Sequence, residues 1–207
     1  MDIRKTLFKY RSYTPIPFLV LMIIYAKPTI SSILIGLVLV ILGEFLRLWG
    51  VSIAGSETRT TKEVGGSNLI TSGPFAYVRN PLYLGNIIIY LGVGIMSLAA
   101  FPTLTLITLL YFIFQYYMIV SLEEEHLLNV YGDEYKQYKY YVPKFLPNFK
   151  KYRLTKANQP QLDWIKGLKS ERRTLQAIII IVLTILIIWF LQNQAQIKLF
   201  SEIFGLR

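Results

Sequence analysis

Two short stretches carry the residue types that could do chemistry. Residues 72–85 read SGPFAYVRNPLYLG. Ser72-Gly73-Pro74 is a turn signal. Asn80-Pro81 biases Asn80 away from helix and lets Pro81 begin one. The first-turn N–H groups of that helix, its positive end and Arg79 together make a seat for a carboxylate or a phosphate. The second stretch, residues 121–147, reads SLEEEHLLNVYGDEYKQYKYYVPKFLP. Its three acids, Glu123, Glu124 and Glu125, close an apolar run, and the negative end of a helix disfavours carboxylates. They call for a cationic partner, either Arg79 and other basic residues or a bound ligand. Beyond them Tyr131-Gly132 marks a helix end, and Tyr131, Tyr135, Tyr138, Tyr140 and Tyr141 crowd into eleven residues. A third pair, Glu44 and Arg47, stands three apart inside an apolar run and can meet on one helix face. Ionisable residues within a span point to function by default. Arg47 also lies near the end of its run, where it can snorkel into a purely structural ion pair. The plainer alternative makes Arg79 a topology anchor, the tyrosines an aromatic belt, and the second stretch an interfacial amphipathic helix.

The elements that must position these residues are apolar. The chain of 207 residues is 54% hydrophobic, with a mean hydropathy of +0.45. That composition points to the membrane class. The absence of cysteine excludes disulfides, thiolate metal sites and cysteine nucleophiles. A single histidine, His126, cannot make a histidine-rich metal site, and no metal is expected. Five apolar runs, 15–26, 30–51, 82–101, 103–122 and 175–191, read as about five transmembrane helices. The first is the shortest. It lacks a small-residue cleavage site and ends in Lys27-Pro28, so it reads as a retained span rather than a signal peptide. Runs three and four are separated only by Ala100-Phe101-Pro102, a tight helical hairpin in which Pro102 suits the start of the second helix. Residues 148–174 form a polar connector with a short helix over 162–169.

The net charge of +10 is distributed in support of this topology. Arg4, Lys5, Lys9 and Arg11 precede the first run. Arg59, Lys62 and Arg79 lie between runs two and three, and eleven lysines and arginines occupy 123–174. The intervening segments carry only Lys27, then none, then Lys198 and Arg207. The positive-inside rule places the N-terminus and both basic loops in the cytoplasm. The charge then belongs to the membrane face, and a nucleic-acid partner is not expected.

Taken in order, the motifs resemble a family. A GPxxYxRNPxYLG turn, a helical hairpin, an EExxL stretch and a YGxEYxxYxxxVPxxxP segment are similar to the membrane-embedded methyltransferases. These are the enzymes related to isoprenylcysteine carboxyl methyltransferase and phospholipid N-methyltransferase. The matching residues are Gly73, Pro74, Tyr77, Arg79, Asn80, Pro81, Tyr83, Leu84 and Gly85, then Glu123, Glu124, Leu127, Tyr131, Gly132, Tyr135, Tyr138, Val142, Pro143 and Pro147. The likeness covers residues 69–147. Asn80 stands where the isoprenylcysteine enzymes commonly have histidine, which is closer to the phospholipid enzymes. The glycine pair of the latter's preceding helix is not matched by Gly36 and Gly43.

The resemblance implies an all-α polytopic membrane protein with a cytoplasmic pocket for S-adenosylmethionine and a lipophilic or lipid acceptor entering from the bilayer. It implies cofactor contacts from Tyr77, Arg79, Asn80, Pro81, Tyr83, Leu84, Gly85, Glu123, Glu124, Leu127, Tyr135 and Tyr138. Arg79, Asn80 and Tyr83 would take the carboxylate and adenosine end, and Glu123 and Glu124 the ribose or amino group. Asn86 and Tyr90 would wall the acceptor cavity. No general base stands out; Glu44, with Arg47 nearby, is the candidate. The chain reads as one membrane domain, 1–207, with a methyltransferase-like core over about 30–147, a connector over 148–174 and an extra C-terminal span over 175–191. Two other classes fit parts of the pattern. A sterol-type reductase would bind NADPH, and a non-enzymatic scaffold would bind no cofactor.

Overall fold

A computed structural model of the chain describes residues 2–55, 69–153 and 159–204, with side chains to residue 195. All regular structure in the described residues is helical: α1 (Ile3–Tyr10), α2 (Pro15–Ile24), α3 (Ile30–Ala54), α4 (Pro81–Ser97), α5 (Thr103–Tyr141) and α6 (Trp164–Phe204), with a 3-10 turn at Gly73–Ala76. Helices α3 and α5, and α6 as far as Ala195, are long and apolar enough to cross a membrane. The protein is all-α and polytopic, as expected. The other two apolar helices are shorter, with 10 residues in α2 and 17 in α4. At 1.5 Å per residue, α2 covers about 15 Å, half of a hydrocarbon core.

The centre of the bundle is the α3–α4 pair. Glycines spaced by seven on each helix bring the backbones together. A Cβ on Gly43 would lie 2.7 Å from the Gly85 carbonyl, and one on Gly92 would lie 2.7 Å from the Gly36 carbonyl. Small residues at such crossings replace the hydrophobic driving force that lipid removes. Thr29 and Ser32 start α3 with a reciprocal capping box. Val40, Ile89, Val93, Met96 and Ile185 fill the core between α3, α4 and α6. Helix α6 docks on α3 where Gly167 meets Ser52. Thr105 of α5 sits against Gly94 of α4.

The basic segments expected to share one membrane face do gather at one end. Residues 2–14 reach α5 through Arg4 and Glu125. The Asp163 N–H donates to the Ser52 carbonyl at 2.9 Å. At the opposite end the Lys27 N–H donates to the Ser97 carbonyl at 2.8 Å, and Gln192 Nε2 to the Ala26 carbonyl at 2.9 Å. Arg59, Lys62, Lys156 and Arg207 lie outside the described residues, as does the side chain of Lys198.

Four boundaries differ from expectation. Helix α4 stops at Ser97, not 101, because Leu98 and Ala100 turn the chain with φ of 49° and 42°. Helix α5 does not end at the three acids. It runs on and is broken only at Gly132, whose φ of 52° suits glycine. The acids therefore lie inside a helix, and the macrodipole argument does not apply to them. The connector over 148–174 is helical from Trp164, and that helix continues without a break into the C-terminal span. The short helix expected over 162–169 is the first part of α6.

Candidate functional site

The described residues ahead of α4, 69–80, are pinned to the end of α5 and the turn after it. The Tyr138 hydroxyl donates to the Phe75 carbonyl at 2.7 Å. The Arg79 N–H donates to the Pro143 carbonyl at 2.9 Å, and the Asn148 N–H to the Tyr77 carbonyl at 2.8 Å. Asn80 Nδ2 donates to the Lys144 carbonyl at 3.1 Å. Gly73, with φ of 59°, presses against Ile53 of α3. Backbone groups that a loop would otherwise leave open are satisfied by the other motif. The two stretches that the sequence keeps apart thus form one unit.

The three acids find three different partners. Glu124 is buried and accepts from Arg79 Nη2 at 2.8 Å and Nε at 3.1 Å. Lys139 and Lys144 approach its other oxygen at 3.3 and 3.4 Å. The remaining Arg79 donors go to the carbonyls of Lys139 and Val142. Glu125 pairs with Arg4 at 2.8 Å. Glu123 accepts from the Tyr83 hydroxyl at 2.7 Å. Of the two partners expected for the acids, protein cations serve Glu124 and Glu125. Arg79 is satisfied by protein acceptors in this arrangement.

Deeper in the bundle the site continues as an aromatic seam. Tyr83 stacks on Tyr116 with ring centroids 4.7 Å apart, and Tyr90 lies 4.2 Å from Phe112. Asn86 Nδ2 donates to the Tyr116 hydroxyl at 3.1 Å, which reaches the Tyr90 hydroxyl at 3.5 Å. Arg47 donates to Asn86 Oδ1. Phe8 of α1 is buried against Phe112, Tyr116 and Ile119 and covers the seam from the N-terminal side. The result is a few polar groups in an apolar, water-poor surround, where their electrostatics act strongly.

Of the expected residues, Tyr83, Asn86, Tyr90 and Glu123 come together in this seam. Arg79 and Glu124 form the ionic clasp beside it, with Asn80 bonded to the Lys144 carbonyl. Tyr135 and Tyr138 are buried in an adjoining cluster with Leu69 and Val142, against which Leu127 packs. Three residues face α3 instead. Tyr77 lies 6.3 Å from Trp49, Pro81 packs on Gly50, and Gly85 makes room for the stem of Arg47. Leu84 is half-buried, and its N–H donates to the Asn80 carbonyl. Glu44 does stand near Arg47, at 3.5 Å. Arg47 does not snorkel, because α6 brings a carboxylate, Glu171, to meet it at 2.9 Å inside the bundle.

Sequence reasoning missed Phe112, Tyr116 and Glu171. The first two were legible as a stripe: Phe112, Tyr116 and Glu123 share one face of α5 by helical spacing, as Tyr83, Asn86 and Tyr90 do on α4. Glu171 gave no such signal, since it lies in a polar segment.

With this geometry in view, the comparison with known families is decisive. The model of the phospholipid methyltransferase family matches residues 31–134, from the start of α3 into the tyrosine-rich end of α5. The chain belongs to that family. It is an integral membrane protein. Protein-S-isoprenylcysteine O-methyltransferase of Schizosaccharomyces pombe is 35% identical over 109 residues, 51% of this chain and 45% of the relative. The cobalt-zinc-cadmium resistance protein CzcN of Cupriavidus metallidurans is 30% identical over 120 residues, 58% of this chain and 50% of the relative. Methanethiol S-methyltransferase 1 of Bradyrhizobium diazoefficiens is 33% identical over 73 residues, 35% of this chain and 24% of the relative. The chain thus spans half or less of the length of these curated relatives.

Proposed function

We propose that this chain is a methyltransferase that moves a methyl group from S-adenosylmethionine to a lipophilic or lipid acceptor at the membrane. The observation that carries the reading is the meeting of Tyr83 with Glu123, forty residues apart in the chain, at 2.7 Å. It joins the two halves of the family motif in one closed seam. The similarity to an isoprenylcysteine O-methyltransferase supports a lipophilic acceptor. Family membership favours this reading over a reductase or a scaffold.

The residues present suit this cofactor. Glu123 is a carboxylate in an apolar setting that would accept from an amino group or a ribose hydroxyl. The faces of Tyr83, Tyr135 and Tyr138 are aromatic cover of the kind an adenine needs. Arg79 and Glu124 hold each other, so we assign them the shape of the site, with Asn80 tying α4 to the Lys144 carbonyl. Tyr90 and Asn86 line the acceptor side, and Arg47 with Glu44 lies behind them. When bound, S-adenosylmethionine supplies an electrophilic methyl group on a sulfonium. The chain's own task is orientation and exclusion of water around an in-line displacement. We place the site on the cytoplasmic face with the N-terminus, from the positive-inside rule. We take 1–207 as one membrane domain, with its core near 30–147 and α6 as an addition.

The test is calorimetry of S-adenosylhomocysteine binding to the detergent-purified chain, with NADPH in parallel. Micromolar binding of the homocysteine compound, lost in Glu123→Gln, is expected. Binding of NADPH alone would replace the reading with a reductase, and binding of neither by a folded sample would end it.

A further inference from the structure

Helix α6 lies outside the family-matched residues, yet it reaches into the seam. Glu171 is buried at 1% exposure, and both of its oxygens accept from Arg47 Nη2, at 3.1 and 2.9 Å. Thr174, one turn on, stands 3.5 Å from the same nitrogen. The other Arg47 terminal nitrogen donates to Asn86 Oδ1. That contact settles the amide: with its oxygen on Arg47, Asn86 turns its Nδ2 toward the Tyr116 hydroxyl at 3.1 Å. Tyr116, having accepted one hydrogen bond, directs its own hydrogen toward Tyr90 at 3.5 Å. A polar chain therefore runs Glu171–Arg47–Asn86–Tyr116–Tyr90 through α6, α3, α4 and α5. Gly85 permits it, since a Cβ there would lie 2.5 Å from Arg47 Cγ.

A buried ion pair is weak evidence for stability, because desolvation offsets the attraction. Its clear effect here is directional. Arg47 has a second carboxylate at hand, Glu44 at 3.5 Å on its own helix. The guanidinium turns Nε to that neighbour, Nη1 to Asn86 and Nη2 to Glu171, so the carboxylate from α6 holds the end of the fork that Glu44 does not reach. Glu171 pulls it across the α3–α4 groove.

We propose that Glu171 is a positioning residue: through Arg47 it sets the orientation of Asn86 and, by way of the Tyr116 hydroxyl, that of the Tyr90 hydroxyl on the acceptor side. The acceptor assignment rests on the methyltransferase reading. In this chain α6 completes the site, and the family core alone does not.

The experiment uses the full chain in lipid nanodiscs with 3-fluorotyrosine at position 116, a side chain joined to Glu171 through Arg47 and Asn86. Fluorine resonance is recorded for the wild type, Glu171→Gln and Glu171→Asp. In parallel, tritiated methyl transfer from S-adenosylmethionine into a membrane lipid extract containing S-farnesylcysteine is followed, with S-adenosylhomocysteine affinity by calorimetry. Glu171→Gln is expected to shift the resonance and to raise the half-saturating acceptor concentration about tenfold, the effect of one misdirected charged hydrogen bond. S-adenosylhomocysteine affinity should stay within about twofold, and Glu171→Asp should recover most of the loss. An unmoved resonance in a folded Glu171→Gln overturns the proposal. So does an equal loss at the cofactor and acceptor ends, which a general structural role would give. A wild type that binds no S-adenosylhomocysteine refutes the methyltransferase reading and its acceptor assignment. The fluorine shift still reports on the positioning chain by itself.

Discussion

The clasp of Arg79 and Glu124 gives the sharpest prediction. The Arg79 side chain is 8% exposed and meets three acceptors: Glu124 within α5, Lys139 O near its end and Val142 O just after it. Arg79→Met removes all of them at once. Breaking a buried pair costs about 3–5 kcal/mol when the partner is stranded. Here Glu124 keeps Lys139 and Lys144 within 3.4 Å, so the lower figure of about 3 kcal/mol applies. That is a change of about two orders of magnitude in the unfolding equilibrium. Arg79→Lys should lose about half as much, since one ammonium cannot serve a carboxylate and two carbonyls in a fork. Glu124→Gln should cost about 1–2 kcal/mol, because an amide oxygen still accepts. Combined with Arg79→Met it should add less than its single cost, with a coupling of about 1–3 kcal/mol. The assay is reversible unfolding in mixed micelles of dodecyl sulfate and a mild detergent, read from tryptophan fluorescence. If Arg79→Met unfolds within about 0.5 kcal/mol of wild type, the size expected of an ordinary surface substitution, the clasp does not hold the site and the reasoning is wrong.

Other substitutions separate packing from chemistry. Gly85→Ala places a Cβ against Arg47 Cγ and the Gly43 carbonyl; it should destabilise by about 3 kcal/mol in the same unfolding assay, where a neutral result would contradict the close α3–α4 crossing. Tyr83→Phe removes the hydrogen bond to Glu123. It should weaken S-adenosylhomocysteine binding about tenfold and cost about 1–3 kcal/mol of stability, because the Glu123 carboxylate loses its donor, checked by calorimetry and unfolding together. Gly132→Ala meets no neighbour but must hold a φ of 52°. A loss of about 1 kcal/mol in stability with unaltered cofactor-product affinity is expected, and a loss of affinity would show that the kink itself shapes the site.

Much of this protein is legible in the order of its residues. Local chemistry is short-range, so the apolar runs, the Asn80-Pro81 helix start and the Gly132 break follow from residues and their immediate neighbours. The grouping of basic segments at one end follows from charge alone. The pairing of an Arg-bearing turn with a Glu-Glu stretch was readable as a family resemblance. What the sequence left open was decided by helix packing. The partner of Arg47 depends on which helix lies beside α3, and Glu171, more than a hundred residues away, belongs to a segment whose polarity suggested a solvated connector. The fate of the three acids likewise turned on α5 continuing past them and on what its successive faces meet, Tyr83, Arg79 and Arg4 in turn. The close approach of α3 and α4 over their glycines was also a matter of register in space, which alone determines that Gly85 lies beneath an arginine and so opens the path from α6 to the seam.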